Sequence, residues 1–281
     1  YNCTSWRNID VSNFNTGNVE TISGLFAYCT SLRSVDVSNF DTTKVYSFSS
    51  MFYKCSEIEE IDISKFKFNS LRDMDWMFKN CSKLKTIKFP NSRTPQLTRM
   101  SSVFEGCESL TSLDLSGFYT SQVSTFDNLF SGCKKLTNLN IATLDTSQGT
   151  SYESMFASCI SLKSLDLSNF DTSWAKYFSS MFEGCESVES LEISNFVTKE
   201  AYYMKKMFAG CKSLKELNIK NFSTDSVSDM REMFNGCSSL TSLDLSTWKT
   251  DRCRNFNKIF DSCSSDLVVT LSAENAGNLI S

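Results

Sequence analysis

Eleven cysteines recur at intervals of 26 residues: Cys3, Cys29, Cys55, Cys81, Cys107, Cys133, Cys159, Cys185, Cys211, Cys237 and Cys263. A twelfth, Cys253, stands outside the series. Thiols in such number could form disulfides, ligate metal or sense oxidants. The spacing speaks against all three. One thiol per repeat in one column points every side chain the same way, whereas a disulfide needs Cβ atoms that approach each other. Zinc sites need converging ligands, commonly as close CxxC pairs, and the chain has none. The expectation is a ladder of buried thiols that pack as small hydrophobes. Cys253 falls in the column of Val19, Val45, Val123 and Val227 and reads as a core substitution.

The second chemically interesting series is acidic. Asp10, Asp36, Asp62, Asp114, Asp166, Glu192 and Asp244 occupy one column, which Lys88, Asn140 and Asn218 interrupt. Stacked like charges repel at strand spacing, so a basic partner or a weakly bound cation would relieve them. The column is the candidate ligand-binding face; the plainer reading is a solvated surface. Catalysis finds little support. Histidine is absent, which excludes His-based triads and His metal sites. No GxGxxG or GxxxxGK loop is present to cradle phosphate. The carboxylates repeat alike, where acid–base chemistry wants an unequal pair. No cofactor is expected.

Elements that could position these columns follow from the repeat. Phe lies three residues before each ladder cysteine from Phe26 to Phe260, and an apolar residue precedes it. Apolar residues follow the cysteine by three, six and eight, as in Leu110, Leu113 and Leu115. Phe is common eleven after it, as at Phe14, Phe40, Phe66 and Phe170. In the segment 162–170, Leu165 and Leu167 flank Asp166, the alternation of a short strand. In the segment 45–55, apolar residues fall at i, i+3, i+6, i+7 and i+10, which reads as one face of a short helix. Asp41-Thr42-Thr43 before it suits an N-cap. The expected unit is strand, turn, short helix, turn. A lone unit cannot bury its apolar side, so units must stack. Strands repeat at ~4.8 Å and packed helices at ~8–10 Å, so the helical side should splay and the strand side should form the inside of a curve. The expected architecture is an α/β repeat, residues 1–281 forming a single solenoid of about ten repeats, with residues 264–281 a divergent last strand and C-terminal cap.

Leu-x-x-Leu-x-Leu, at Leu110–Leu115 and Leu240–Leu245, is a leucine-rich-repeat signature. The fuller pattern Met-Phe-x-x-Cys-x-Ser-Leu-x-x-Leu-Asp-Leu-Ser-x-Phe-x-Thr, with close copies at Met181–Thr198 and Met233–Thr250, resembles the BspA-type leucine-rich repeats. The resemblance implies a parallel sheet on one face, and a surface or secreted protein of bacteria or protists that adheres to or contacts partners. It supplies no catalytic residues. Phe stands here where common leucine-rich repeats place an Asn that bonds to backbone, and the Thr column (Thr42, Thr120, Thr172, Thr224) is read as satisfying the loop backbone instead.

Three glycosylation sequons occur, at Asn2, Asn80 and Asn221. Pro90 and Pro95 bracket a loop that departs from the usual Ser-Asn-Phe-Asp-Thr turn and is expected to sit away from ladder geometry. A net charge of -4 lacks the basic patch of a nucleic-acid binder. No stretch reaches the ~18 apolar residues that span a bilayer. The N-terminus lacks the basic start and apolar run of a signal peptide. The expected function is non-enzymatic: a protein-interaction or adhesion module, extracellular or at the cell surface. The alternative is a subunit that self-associates into a filament or layer.

Overall fold

The computed structural model describes residues 3–272. Contacts divide the chain into two compact units: Tyr1–Ser124 with Asn128–Leu144, and Thr125–Asp127 with Asp145–Ser281. Each is a parallel β-solenoid.

The first unit contains β1 (Glu60–Asp62), β2 (Thr86–Lys88), β3 (Ser112–Asp114) and β4 (Asn138–Asn140). The second contains β5 (Ser164–Asp166), β6 (Ser190–Glu192), β7 (Ser242–Leu245) and β8 (Val268–Leu271). The pairs β1–β2, β3–β4, β5–β6 and β7–β8 are parallel, each residue facing the one 26 positions on, as Leu165 faces Leu191. The strands are where the alternation places them. Leu113, Leu165 and Leu191 turn inward, and Asp114, Asp166 and Glu192 turn out. The divergent last strand forms as β8; the expected cap at 273–281 lies outside the described residues.

The helices do not form: no helix occurs among the described residues. The apolar face read from the segment 45–55 is nonetheless buried, through Val45, Phe48, Met51, Phe52 and Cys55. Backbone bonding explains the difference. Amide N–H groups alternate in direction. Those of Phe48, Ser50, Phe52 and Lys54 donate to carbonyls of the next repeat, at 2.8–2.9 Å, while those of Met51, Tyr53 and Cys55 donate three residues back. The alternation requires positive φ one and five residues before each ladder cysteine, as at Ser50 (58°) and Lys54 (60°), or Ser180 (58°) and Gly184 (72°). A right-handed helix cannot contain such residues. Gly106, Gly132, Gly184, Gly210 and Gly236 occupy the site just before the cysteine, the residue that adopts this conformation at least cost.

Helices would separate neighbouring repeats by ~8–10 Å. The Phe rings of this side instead stack at 5.4–5.9 Å in the first unit and 5.6–5.7 Å in the second. Isolated parallel bridges run beside them, from Thr21 to Arg99 in one unit and from Thr125 to Asn255 in the other. Both sides therefore repeat at close to strand spacing, and the premise for splaying the second side disappears within each unit.

The cysteine column has a specific place in this scheme. The Phe26 carbonyl accepts the Cys29 N–H at 3.1 Å and the Cys55 thiol at 3.1 Å. The same thiol contact recurs from Cys81 to Phe52 (3.0 Å) and from Cys185 to Phe156 (3.1 Å). These thiols thus fill the second lone pair of a buried carbonyl. No disulfide joins cysteines among the described residues, and Cys253 is buried in the position a valine takes elsewhere.

Threonine serves the other turn. Thr42 Oγ1 accepts the Lys67 N–H at 2.7 Å and donates to the Lys67 carbonyl at 3.4 Å. Thr172 makes the same pair of bonds with Val197, at 2.8 and 3.0 Å, and Thr224 with Lys249. The Thr column does satisfy the loop backbone. It replaces the expected N-cap, while Asp41 closes a local turn by accepting from the Thr43 N–H (3.0 Å). Thr172→Val should therefore leave both polar groups of the Val197 backbone unbonded, at a cost of about 1–3 kcal/mol, while Thr172→Ser retains most of the stability. Equal urea midpoints for the two variants would contradict this role. The proline loop also keeps this bond: Thr94, buried between Pro90 and Pro95, pairs with Tyr119 N–H (2.8 Å) and C=O (3.1 Å). The prolines thus reshape the loop without removing it from the ladder.

Candidate interaction surfaces

The acidic column lies on the exposed side of the strands, but its carboxylates are locally engaged. Each of Asp10, Asp36, Asp62, Asp114, Asp166 and Asp244 accepts the N–H of the serine two residues on, at 2.9–3.0 Å. Glu192 accepts from Ser194 in the same way. Serine hydroxyls, then the serine N–H groups, hold Asp36, Asp62, Asp166 and Asp244 below the usual carboxylate range. For Asp10 and Asp114 the N–H is the larger cause. These six aspartates therefore stay ionised further into acid than free carboxylates.

Three neighbours reduce the expected repulsion. Lys88 pairs with Asp62 across β1–β2 at 3.3 Å, the Asn140 amide donates to Asp114 at 3.0 Å, and Lys220 lies 3.4 Å from Asp244. Asp166 and Glu192 are register partners in β5 and β6. No group of three or more metal-ligating side chains converges among the described residues. The Asp-x-Ser geometry gives the column's aspartates a structural occupation: each closes a local turn, as after β1, β3, β5 and at β7.

Of the sequons, Asn2 lies outside the described residues. Asn80 is half-buried at φ 61°, in the column where other repeats place Gly. Asn is the other residue that tolerates this region, so its presence has a backbone reason. Asn221 is exposed in a turn.

A second surface was not anticipated from the sequence. In the second unit Trp174 is 61% and Tyr202 50% exposed, and Tyr177 and Tyr203 are exposed as well. Tyr177 and Tyr203 stack at 5.9 Å, and Tyr202 meets Tyr203 edge-on at 5.2 Å. Several exposed rings of the first unit lie under the protein's own cations: Lys54 over Tyr28 and Tyr53, Lys79 over Trp76, and Arg93 over Tyr119, while Trp6, Phe14 and Tyr46 are exposed with no cation over them among the described residues. Among the described residues no cation covers the rings of Trp174 or of the Tyr177, Tyr202 and Tyr203 cluster. The signal that could have revealed it was a change of residue type within exposed columns, where Trp174 follows Gln96, Gln122 and Gln148 and Tyr202 follows Thr98, Ser124, Thr150 and Lys176.

Parallel repeats of Leu-x-x-Leu-x-Leu with a Phe and Cys ladder define a leucine-rich-repeat solenoid of the BspA type. The chain belongs to the family described as Mycoplasma protein of unknown function, DUF285, whose model matches residues 1–116, 98–216 and 178–270. A comparison with curated proteins returns no match. Among solved structures it is similar to a leucine-rich repeat protein from Bacteroides ovatus, with 20% identity over 81% of this chain and a TM-score of 0.50. The chain spans 59% of that protein's length. It is also similar to a leucine rich cell surface protein from Faecalibacterium prausnitzii, with 18% identity, 97% of this chain, 75% of that one and a TM-score of 0.52. At such identities the likeness concerns the fold.

Proposed function

We propose that the chain is a non-enzymatic protein-interaction module of a surface or secreted protein, used in adhesion or partner contact. The observation that carries this reading is the set of exposed aromatics in the second unit, the ring cluster of Tyr177, Tyr202 and Tyr203 together with the highly exposed Trp174. The Phe ladder from Phe26 to Phe234 is buried almost completely, whereas these three tyrosines stay exposed in mutual ring contact, and grouped exposed aromatics mark contact surfaces. Surface location is supported by the description of the Faecalibacterium prausnitzii protein. The acidic column is the weaker contact candidate, because its carboxylates already close turns.

The test is site-specific photo-crosslinking in an extract of cell-surface and extracellular proteins. A photoreactive phenylalanine replaces Trp174 in one variant and Asp114 in another. Discrete heterologous protein adducts, stronger from position 174, are expected. No protein adduct from either position would sink the reading. Adducts only between copies of the chain would replace it with self-association.

A further inference from the structure

Beside the aromatic cluster the second unit has a notch, and its origin is legible in the repeat columns. One exposed column runs Lys176, Tyr202, Ser228, Arg254, and the column two residues earlier runs Trp174, Glu200, Ser226, Arg252. A single repeat therefore offers only serines, between a repeat that carries rings and a repeat that carries guanidinium groups. The result is a depression of about 590 Å³ with Tyr202 and Tyr203 on one side, Ser226 and Ser228 between, and Arg252 and Arg254 opposite. Its size falls within the roughly 300–1,000 Å³ of ligand clefts, enough for several side chains of an extended segment.

The walls have distinct chemistry. One side of Tyr203 is occupied by Tyr177. The residue that follows Tyr203 in its column is Asp229, which is already gripped by Arg231 through two nitrogens, the shorter contact 2.7 Å. The Ser228 hydroxyl donates to the Tyr202 carbonyl. Arg252 and Arg254 are exposed and form no ion pair among the described residues. The notch thus presents an aromatic wall and two unneutralised forks. Guanidinium groups recognise carboxylates by paired hydrogen bonds, and Tyr and Arg dominate the energetics of protein interfaces. A continuous polyanion fits less well, since Asp251 lines the same notch and Asp225 its continuation, and the chain carries a net charge of -4.

We infer that the notch between Tyr202–Tyr203 and Arg252–Arg254 receives an acidic segment of a partner polypeptide, its carboxylates on the two arginines and an aromatic or aliphatic side chain against the tyrosines. This rests on the reading of the chain as a protein-interaction module.

Fluorescence anisotropy on the full chain tests it, with a labelled dodecapeptide of alternating Glu and Tyr as probe. Comparison probes are a Lys–Tyr peptide, a Glu–Ser peptide, a uronate oligosaccharide and a single-stranded oligonucleotide. The Glu–Tyr peptide should bind best and weaken as salt rises. Its affinity should fall at least tenfold in Arg252→Ala/Arg254→Ala and in Tyr203→Ala, with circular dichroism unchanged. The inference is overturned by no binding of the Glu–Tyr peptide, by equal binding of the Lys–Tyr peptide, by unchanged affinity in the arginine variant, or by tighter binding of the oligosaccharide or oligonucleotide. Should crosslinking at position 174 capture partner proteins while the acidic peptide fails, the interaction module stands and the acidic partner falls.

Discussion

Stability of this protein should collapse as the pH rises above about 9, and the slope should be set by the thiol ladder. Burial pushes the thiols of Cys185 and Cys237 up to about 12, and burial raises Cys81, Cys107, Cys133 and Cys211 as well. An unfolded cysteine titrates near about 8.5. Above that pH the unfolded chain releases protons that the folded chain keeps, so unfolding becomes more favourable with each pH unit. The contribution is fully present below pH ~8.5 and is lost as pH climbs through the folded value. Each thiol adds about 1.4 kcal/mol per pH unit in that window. Two such groups change stability by roughly 3 kcal/mol per unit, a large share of the roughly 5–15 kcal/mol of a typical domain. Urea unfolding at successive pH values should show the decline beginning near pH 9. Cys185→Ala/Cys237→Ala should make it shallower by about 3 kcal/mol per unit, whatever its effect at pH 7. A stability flat to pH 11, or a slope indifferent to those substitutions, would show that the ladder does not resist ionisation.

Phe182→Ala should be the most damaging single truncation in the second unit, at about 3–5 kcal/mol. Phe182 is fully buried, 5.7 Å from the ring of Phe156 and 5.6 Å from that of Phe208, with both rings nearly parallel to it. Removing it opens a cavity in a column that cannot collapse, because the backbone spacing on either side is held by bonds such as Phe156 N–H to the Met181 carbonyl and Phe182 N–H to the Met207 carbonyl, both 2.9 Å. Phe182→Leu should lose markedly less, since it refills most of the volume. The midpoint of urea unfolding, monitored at constant m-value, reads the difference. A loss below 1 kcal/mol for the alanine variant would mean the stack is not the axis of the unit.

Thermodynamic reasoning of this kind depends on which features were legible in advance. The strands were, because period-two alternation around Asp114 and Asp166 has a single geometric meaning once repeats stack in register. The inward cysteines were, because one residue type at constant spacing has one orientation. Apolar positions in the second half were also placed correctly, yet their conformation was misread. The pattern at Val45, Phe48, Met51, Phe52 and Cys55 fits a helix and equally fits a turned segment with positive φ at Ser50 and Lys54. Glycine just before the ladder cysteine, at Gly106, Gly184 and Gly236, was the available warning, since glycine weakens a helix interior.

Repetition by itself determined the repeat length, the inward and outward columns, the buried thiols and the use of threonine for the loop backbone. Those are periodic properties, and a sequence displays a period directly. Only the tertiary structure decided where each backbone N–H goes, and so that the second half of each repeat bonds to its neighbour instead of coiling on itself. It alone showed that the acidic column spends its oxygens on the turns after the strands. It also assembled the Tyr202, Ser228 and Arg254 notch from residues 26 apart. Such a site arises where columns break their period, and neighbours across repeats become neighbours in space only when the chain is stacked.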